Sequence, residues 1–291
     1  MFEGTLTALI TPFRDGGIDE EALRALVERQ IAAGIDGLVP CGSTGESATL
    51  SHDEHRRVVE IVIEAAGGRV PVIAGTGSNS TREAVELTLH AREAGADGAL
   101  LLSPYYNKPT QEGIYEHYAA IARETRLPLV VYNIPGRTAS NIAPETLGRL
   151  ARLEWIVGVK EASGDLEQIA HVIAKCPADF AVLSGDDVLT LPMLAIGGKG
   201  VISTSSNVAP EAVGALVRAF REGDLAGAQQ RHYALLPLFD ALFCETNPIP
   251  VKAAVATLGL CRDEIRLPLT RLGEANHERL KVVLKDLGIL R

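Results

Sequence analysis

PVIAGTGSNSTREAVELTLHAREAGADGALLLSP, residues 71–104, sets two apolar runs on either side of one segment of helical period. PVIAGTG and DGALLLSP are short aliphatic and β-branched runs bounded by Gly, Pro and Asp, which is the signature of buried strands. TREAVELTLHAREAG opens beside Ser80 and closes on Gly95, residue types that suit a helix N-cap and C-cap. Strand, helix and strand in that order make a βαβ unit with parallel strands and a right-handed crossover. A doubly wound open sheet is the rival architecture, and it would carry a dinucleotide fingerprint after the first strand. GTGSNS at 75–80 supplies the first two glycines, but Asn79 and Ser80 stand where the motif would finish.

The same alternation runs outward in both directions. TLTALITPF and DGLVPCG precede this unit, and LPLVVYNIP, WIVGVKEAS, FAVLSGDD and GKGVISTSS follow it, giving eight strand candidates. Amphipathic stretches such as DEEALRALVERQIAAG and SHDEHRRVVEIVIEAAGG lie between them. Eight β-α units close most naturally into a (β/α)8 TIM barrel. Residues 1–222 are expected to form the barrel. Residues 223–291, with a break at ETNPIPVKAA, are expected to form additional C-terminal helices packed on it. No stretch rich in Gly, Ser or charge marks a linker.

Composition narrows the function. Of 291 residues, 46% are hydrophobic and only 4% aromatic, with 28 glycines, a profile that suits a packed α/β interior. A formal net charge of −9 with no basic run argues against a nucleic-acid partner. No segment approaches the roughly 18 uninterrupted apolar residues of a membrane span. MFEGTLTALITPF lacks a basic leader and a cleavage pattern, so a soluble, cytoplasmic chain is expected. Cys41, Cys176, Cys244 and Cys261 are scattered, without metal or disulfide spacing, and read as small hydrophobes.

In a barrel of this kind the chemistry gathers where strands end and β-α loops begin. IVGVKEASGD, residues 156–165, puts Lys160 inside a run that otherwise reads as buried strand. There it can reach water only through the barrel mouth, so its amine is partly desolvated and its pKa falls. A neutral amine attacks a ketone, and the resulting Schiff base is an electron sink for carbon–carbon bond chemistry. The bland alternative is a lysine paired with Glu161 or snorkelling at a barrel end. GSTGE, residues 42–46, lacks the Walker ending, but its amides and the Ser43 and Thr44 hydroxyls suit a carboxylate; otherwise it is an ordinary turn. Tyr105, Tyr106 and Tyr132 are three of only six tyrosines and stand at strand ends, where a phenol can pass a proton or simply pack. Arg137, in NIPGRT, offers a planar fork for a carboxylate, or is a surface cation. Asp186 with Asp187, and His52 with His55, do not reach three or four ligands at familiar spacing, so no metal is expected.

GSTGE, PYYNKP, YNIPGRT, GVKEASGD and SGDD occur in an order and at intervals that closely resemble the pyruvate-dependent Schiff-base lyases and synthases, the family that includes N-acetylneuraminate lyase. The match runs from near Gly4 into ETNPIPVKAA. Arg137 in YNIPGRT points, within that family, to condensation of pyruvate with aspartate semialdehyde on the diaminopimelate route to lysine, rather than to sialic-acid cleavage. The resemblance implies that Lys160 forms the pyruvate imine, that Tyr132 shuttles protons, and that Thr44 connects Tyr132 to Tyr106, which reaches the neighbouring subunit's site. It places the pyruvate carboxylate on Ser43 and Thr44, the semialdehyde carboxylate on Arg137, and Gly185, Asp186 and the Ile202 backbone along the remaining wall. No cofactor is implied, because the covalent imine replaces one. Feedback inhibition by lysine is implied through Ser47, Ala48, His52, His55, Asn79, Glu83 and Tyr105, and assembly as a homotetramer, a dimer of dimers. One departure stands out: Ser43-Thr44 replaces the frequent Thr-Thr, losing a methyl but keeping the hydroxyl. Rival expectations are an aldolase for 2-keto-3-deoxy sugar acids or a hydroxyproline-derived keto acid, a non-catalytic lysine or keto-acid sensor, and a phosphate-handling isomerase hinted at only by GGKG.

Overall fold

The computed structural model describes residues 2–290. Eight parallel strands form one sheet: β1 Gly4–Ala8, β2 Gly37–Val39, β3 Ile73–Gly75, β4 Gly98–Leu102, β5 Leu129–Asn133, β6 Ile156–Glu161, β7 Ala181–Ser184 and β8 Gly200–Ser203. Their spatial order is β2-β1-β8-β7-β6-β5-β4-β3. The ends of that series meet: Leu38 bridges Val72 in parallel, Leu38 N–H donates to the Pro71 carbonyl at 2.9 Å, and Gly75 N–H donates to the Pro40 carbonyl at 2.9 Å. The sheet is therefore closed into the expected TIM barrel, and every strand is covered on both faces.

Double coverage explains why the strands read as continuous apolar runs and not as alternating ones. Leu6, Val39, Ile73, Leu100, Val130, Leu183 and Ile202 share the barrel interior. Their strand neighbours Leu101, Val131, Val159 and Val182 face outward against the helices.

The first three crossover helices begin at side-chain caps, and two of them end on glycine. Helix α1 Glu20–Ala32 is capped by Asp19, whose side chain accepts from Ala22 N–H. Helix α2 His52–Ala66 carries a capping box between Ser51 and Glu54 and stops at Gly67, with φ of 56°. Helix α3 Thr81–Ala94 is capped by Ser80 and stops at Gly95, with φ of 96°. The remaining ring is α4 Gln111–Thr125, α5 Pro144–Leu150, α6 Leu166–Lys175, α7 Thr190–Ala195 and α8 Pro210–Arg221.

Beyond residue 222 come α9 Leu225–Leu242, α10 Ile249–Thr257 and α11 Glu274–Asp286. They pack on α8 in one apolar cluster that also holds Ile10 and Val201 of the barrel, alongside Leu235, Val251 and Leu280. The break at 244–248 carries the chain to the barrel mouth before α10 begins.

Candidate active site

Lys160 owes its setting to strand parity. Val159 faces the outer helices, so Lys160 and Ala162 face the interior. In register, Lys160 lies beside Tyr132 on β5 and Leu183 on β7. The lysine is only 6% exposed, and its Nζ stands 4.3 Å from the centre of the Tyr132 ring. Burial pushes its pKa down from 10.5 to about 8, against the opposing pull of Asp186 and Asp187 and with a smaller push from Arg137. Glu161, the alternative partner, is engaged elsewhere: its carboxylate accepts from Asn133 Nδ2 at 3.1 Å and from Ser163 N–H at 2.8 Å. Among the described residues, Lys160 makes no ion pair.

Space for the lysine stem comes from Gly185. A Cβ at that position would lie 2.6 Å from Ala162 Cβ and 3.1 Å from Lys160 Cε, closer than carbon atoms pack. Asp186 beside it has its pKa raised by burial, with Lys160 pulling the other way. Ile202 is fully buried on the inner face of β8. Tyr132 is buried too, which pushes its phenol well above the ordinary value; Arg137 opposes that push and Asp186 adds to it.

The loop after β2 supplies the hydroxyls. Thr44 is buried, and its Oγ1 accepts from Asn247 Nδ2 at 3.0 Å and lies 3.3 Å from Thr204 Oγ1. Ser43 lines a cavity of about 470 Å³ shared with Tyr132, Arg137 and Asn247. Arg137 is held by its Nη2 donating to the Asn247 carbonyl at 2.8 Å.

The same cavity continues past Ser47 and Ala48 to His52, His55, Glu83 and Tyr105. His52 Nε2 stands 2.9 Å from Glu83 Oε1, and Ser78 Oγ donates to the other carboxylate oxygen. The Ser78 hydroxyl, and then His52, hold the Glu83 carboxyl below the ordinary value. His55 donates Nε2–H to the Gly75 carbonyl at 2.7 Å, while its buried Nδ1 has no partner. Asn79 lies just outside the cavity lining, and its Nδ2 donates to the Tyr105 carbonyl at 3.1 Å.

One expected connection is not made within the single chain. Tyr106 is 89% exposed at a left-handed φ of 70°, so its side chain projects into solvent and not toward Thr44. Of the residues weighed as metal ligands, His52 contacts Glu83, His55 contacts the Gly75 carbonyl, and Asp187 has one carboxylate oxygen bonded while the other, Oδ1, is buried without a partner. Asp187 Oδ2 accepts from Ser205 N–H at 2.9 Å, Ser205 Oγ at 2.7 Å and Thr204 N–H at 3.2 Å, which fixes the turn after β8.

Several residues at the site have no reading from sequence. Asn247 and Thr204 meet the Thr44 hydroxyl from distant parts of the chain, and Lys252 meets Glu46, two residues beyond Thr44 in the same loop. The break ETNPIPVKAA was the one visible signal, and it marks where the extension meets the barrel.

Comparison with known proteins agrees with this geometry. Residues 1–287 match the dihydrodipicolinate synthetase family. The chain is 58% identical over 290 residues to a 4-hydroxy-tetrahydrodipicolinate synthase of Syntrophus aciditrophicus, covering 100% of both chains. It superposes with a TM-score of 0.98 on the chloride-inhibited dihydrodipicolinate synthase of Acinetobacter baumannii complexed with pyruvate, at 45% identity and 100% coverage of both chains. It superposes with a TM-score of 0.97 on a DHDPS of Cyanidioschyzon merolae with lysine bound, at 42% identity and 99% coverage of both.

Proposed function

The chain belongs to the dihydrodipicolinate synthetase family, and on that premise we propose that it is a lyase condensing pyruvate with L-aspartate 4-semialdehyde to 4-hydroxy-tetrahydrodipicolinate, on the diaminopimelate route to lysine. The observation that carries the reading is the buried, unpaired Lys160 amine beside the Tyr132 phenol. A pKa of about 8 leaves about a tenth of that amine neutral at pH 7, against less than a thousandth for an ordinary lysine. The neutral amine adds to the keto carbon of pyruvate and, with loss of water, forms an imine. Loss of a methyl proton gives the enamine, whose carbon attacks the aldehyde. No cofactor is needed, because the imine accepts the electron pair.

Tyr132 is proposed to move protons at the imine nitrogen and the departing oxygen; the centre of its ring lies 4.3 Å from Lys160 Nζ. Ser43 and Thr44 offer hydroxyls for the pyruvate carboxylate, and Arg137 a fork for the semialdehyde carboxylate. Gly185, Asp186 and the Ile202 backbone are proposed to form the remaining wall. Steady-state turnover of pyruvate plus aspartate semialdehyde, set against cleavage of 2-keto-3-deoxy sugar acids, tests the reading. Preference for a sugar acid would overturn it.

Lysine is proposed as a feedback inhibitor bound by Ser47, Ala48, His52, His55, Asn79, Glu83 and Tyr105. That proposal is supported by the lysine-bound relative and by the continuity of this cleft with the catalytic cavity. Tyr106, exposed in one chain, is proposed to complete the Tyr132–Thr44–Tyr106 relay of a neighbouring chain in a homotetramer. Activity that persists unchanged after dissociation on dilution would refute that. A cytoplasmic location is proposed from the pathway and four free thiols, and cell fractionation checks it.

A further inference from the structure

A cluster of buried polar groups ties the C-terminal extension to the loop after β2, and the reaction as proposed so far does not use it. Asn247 is 8% exposed, stands just ahead of α10, and makes two contacts across the fold. Its Nδ2 donates to Thr44 Oγ1 at 3.0 Å, and its backbone carbonyl accepts from Arg137 Nη2 at 2.8 Å.

The position of Asn247 is fixed from α10. Lys252, fully buried, follows it by little more than one helical turn and sends Nζ to Glu46 Oε1, two residues beyond Thr44. Glu46 Oε2 accepts from Arg266 N–H at 3.1 Å, so both carboxylate oxygens are engaged. The Lys252 Nζ also stands 4.1 Å from the centre of the Phe13 ring. A buried ion pair broken on one side is costly, so α10 and the 42–49 loop are held in one relative position.

A hydroxyl has one proton and two lone pairs. With an amide N–H donating to its oxygen, the Thr44 proton must point to some other acceptor, and cannot be spent on residue 247. We propose that Asn247 is a positioning residue for the condensation: its side-chain amide sets the direction in which Thr44 presents its proton, and the Glu46–Lys252 pair holds that amide in place. The inference rests on the reading of Thr44 as a proton-relay hydroxyl.

The test compares Asn247→Ala, Asn247→Asp and Thr44→Val with the parent enzyme, measuring borohydride trapping of the pyruvate imine, kcat, KM for the semialdehyde, and the pH profile of kcat. Asn247→Ala is expected to keep the end-point yield of imine trapping, because the trapped amine belongs to Lys160, while kcat falls about tenfold or more. KM for the semialdehyde should stay within about twofold, since Arg137 is anchored on a backbone carbonyl that the substitution keeps.

Asn247→Asp keeps the shape but, once ionised, can only accept. It should be as slow as the alanine variant at neutral pH and recover as the pH falls and the carboxyl gains a proton to donate. That added acid limb is a signature that lost packing would not produce. Parent-like kcat in either variant at neutral pH overturns the proposal, as does a loss of imine trapping and thermal stability in step with kcat. Thr44→Val separates the two layers. If it slows the enzyme while both Asn247 variants do not, the proposal alone fails. If it leaves kcat intact, the relay reading fails and takes the proposal with it.

Discussion

Replacing Lys160 with methionine should stabilise the fold, by an amount that depends on pH. Methionine matches the lysine stem in length and flexibility, so the interior stays filled. What it removes is an amine whose folded pKa of about 8 lies below its ordinary 10.5. At about 1.4 kcal/mol for each tenfold change in proton affinity, that gap corresponds to about 3 kcal/mol. Because the folded value is depressed, the unfolded chain holds the proton more tightly. The penalty is complete below about pH 8, shrinks as the pH rises toward 10.5, and vanishes above it. Denaturant unfolding of parent and variant at equal protein concentration, from about pH 6 to 10, reads the difference directly. The variant should be more stable by about 3 kcal/mol at the acid end, with the two curves converging in alkali. Equal stability at neutral pH, or a gain that does not change with pH, would refute the claim that burial depresses this amine.

Three further outcomes follow from named contacts. Gly185→Ala puts a methyl 2.6 Å from Ala162 Cβ and against Lys160 Cε; overpacking should cost about 1–3 kcal/mol, and displacement of the amine about a hundredfold in kcat/KM. Retention of parent activity would show that the lysine stem has room to move. Glu83→Gln removes the carboxylate beside His52, so the lysine concentration giving half inhibition should rise at least about tenfold in a steady-state assay. An unchanged inhibition curve would place the effector elsewhere. Lys252→Met leaves the Glu46 carboxylate buried without its cation and should cost about 3–5 kcal/mol, while the double variant Glu46→Gln with Lys252→Met regains most of it. Unfolding midpoints decide this, and equal stability of the single and double variants would count against the pair.

The barrel was legible because its information is local. Each strand is an apolar run, the first three crossover helices carry caps at Asp19, Ser51, Ser80, Gly67 and Gly95, and closure follows from the number of units. Lys160 was legible for a related reason, since a cation in a doubly covered strand has one way out. The contacts that orient Thr44 and Arg137 were not legible. Asn247 meets Thr44 across 203 residues and Arg137 across 110, and no periodicity or cap encodes such a pairing. Glu46 ends the GSTGE stretch and Lys252 lies in ETNPIPVKAA, and nothing in either stretch pairs the two. Their joint burial appears only once α10 is laid against the loop. Tyr106 marks a different limit: its partner is proposed to be another chain, so neither this sequence pattern nor a single copy of the fold displays it.

Reduction by borohydride in the presence of pyruvate, followed by mass mapping of the peptides, addresses the imine most directly. Among the described residues two lysines are deeply buried, Lys160 beside a phenol and Lys252 clasped by Glu46, and only the first has an amine without a carboxylate partner. A single pyruvate adduct on Lys160 is the predicted result. No adduct, or an adduct on Lys252 or any other lysine, would contradict the account.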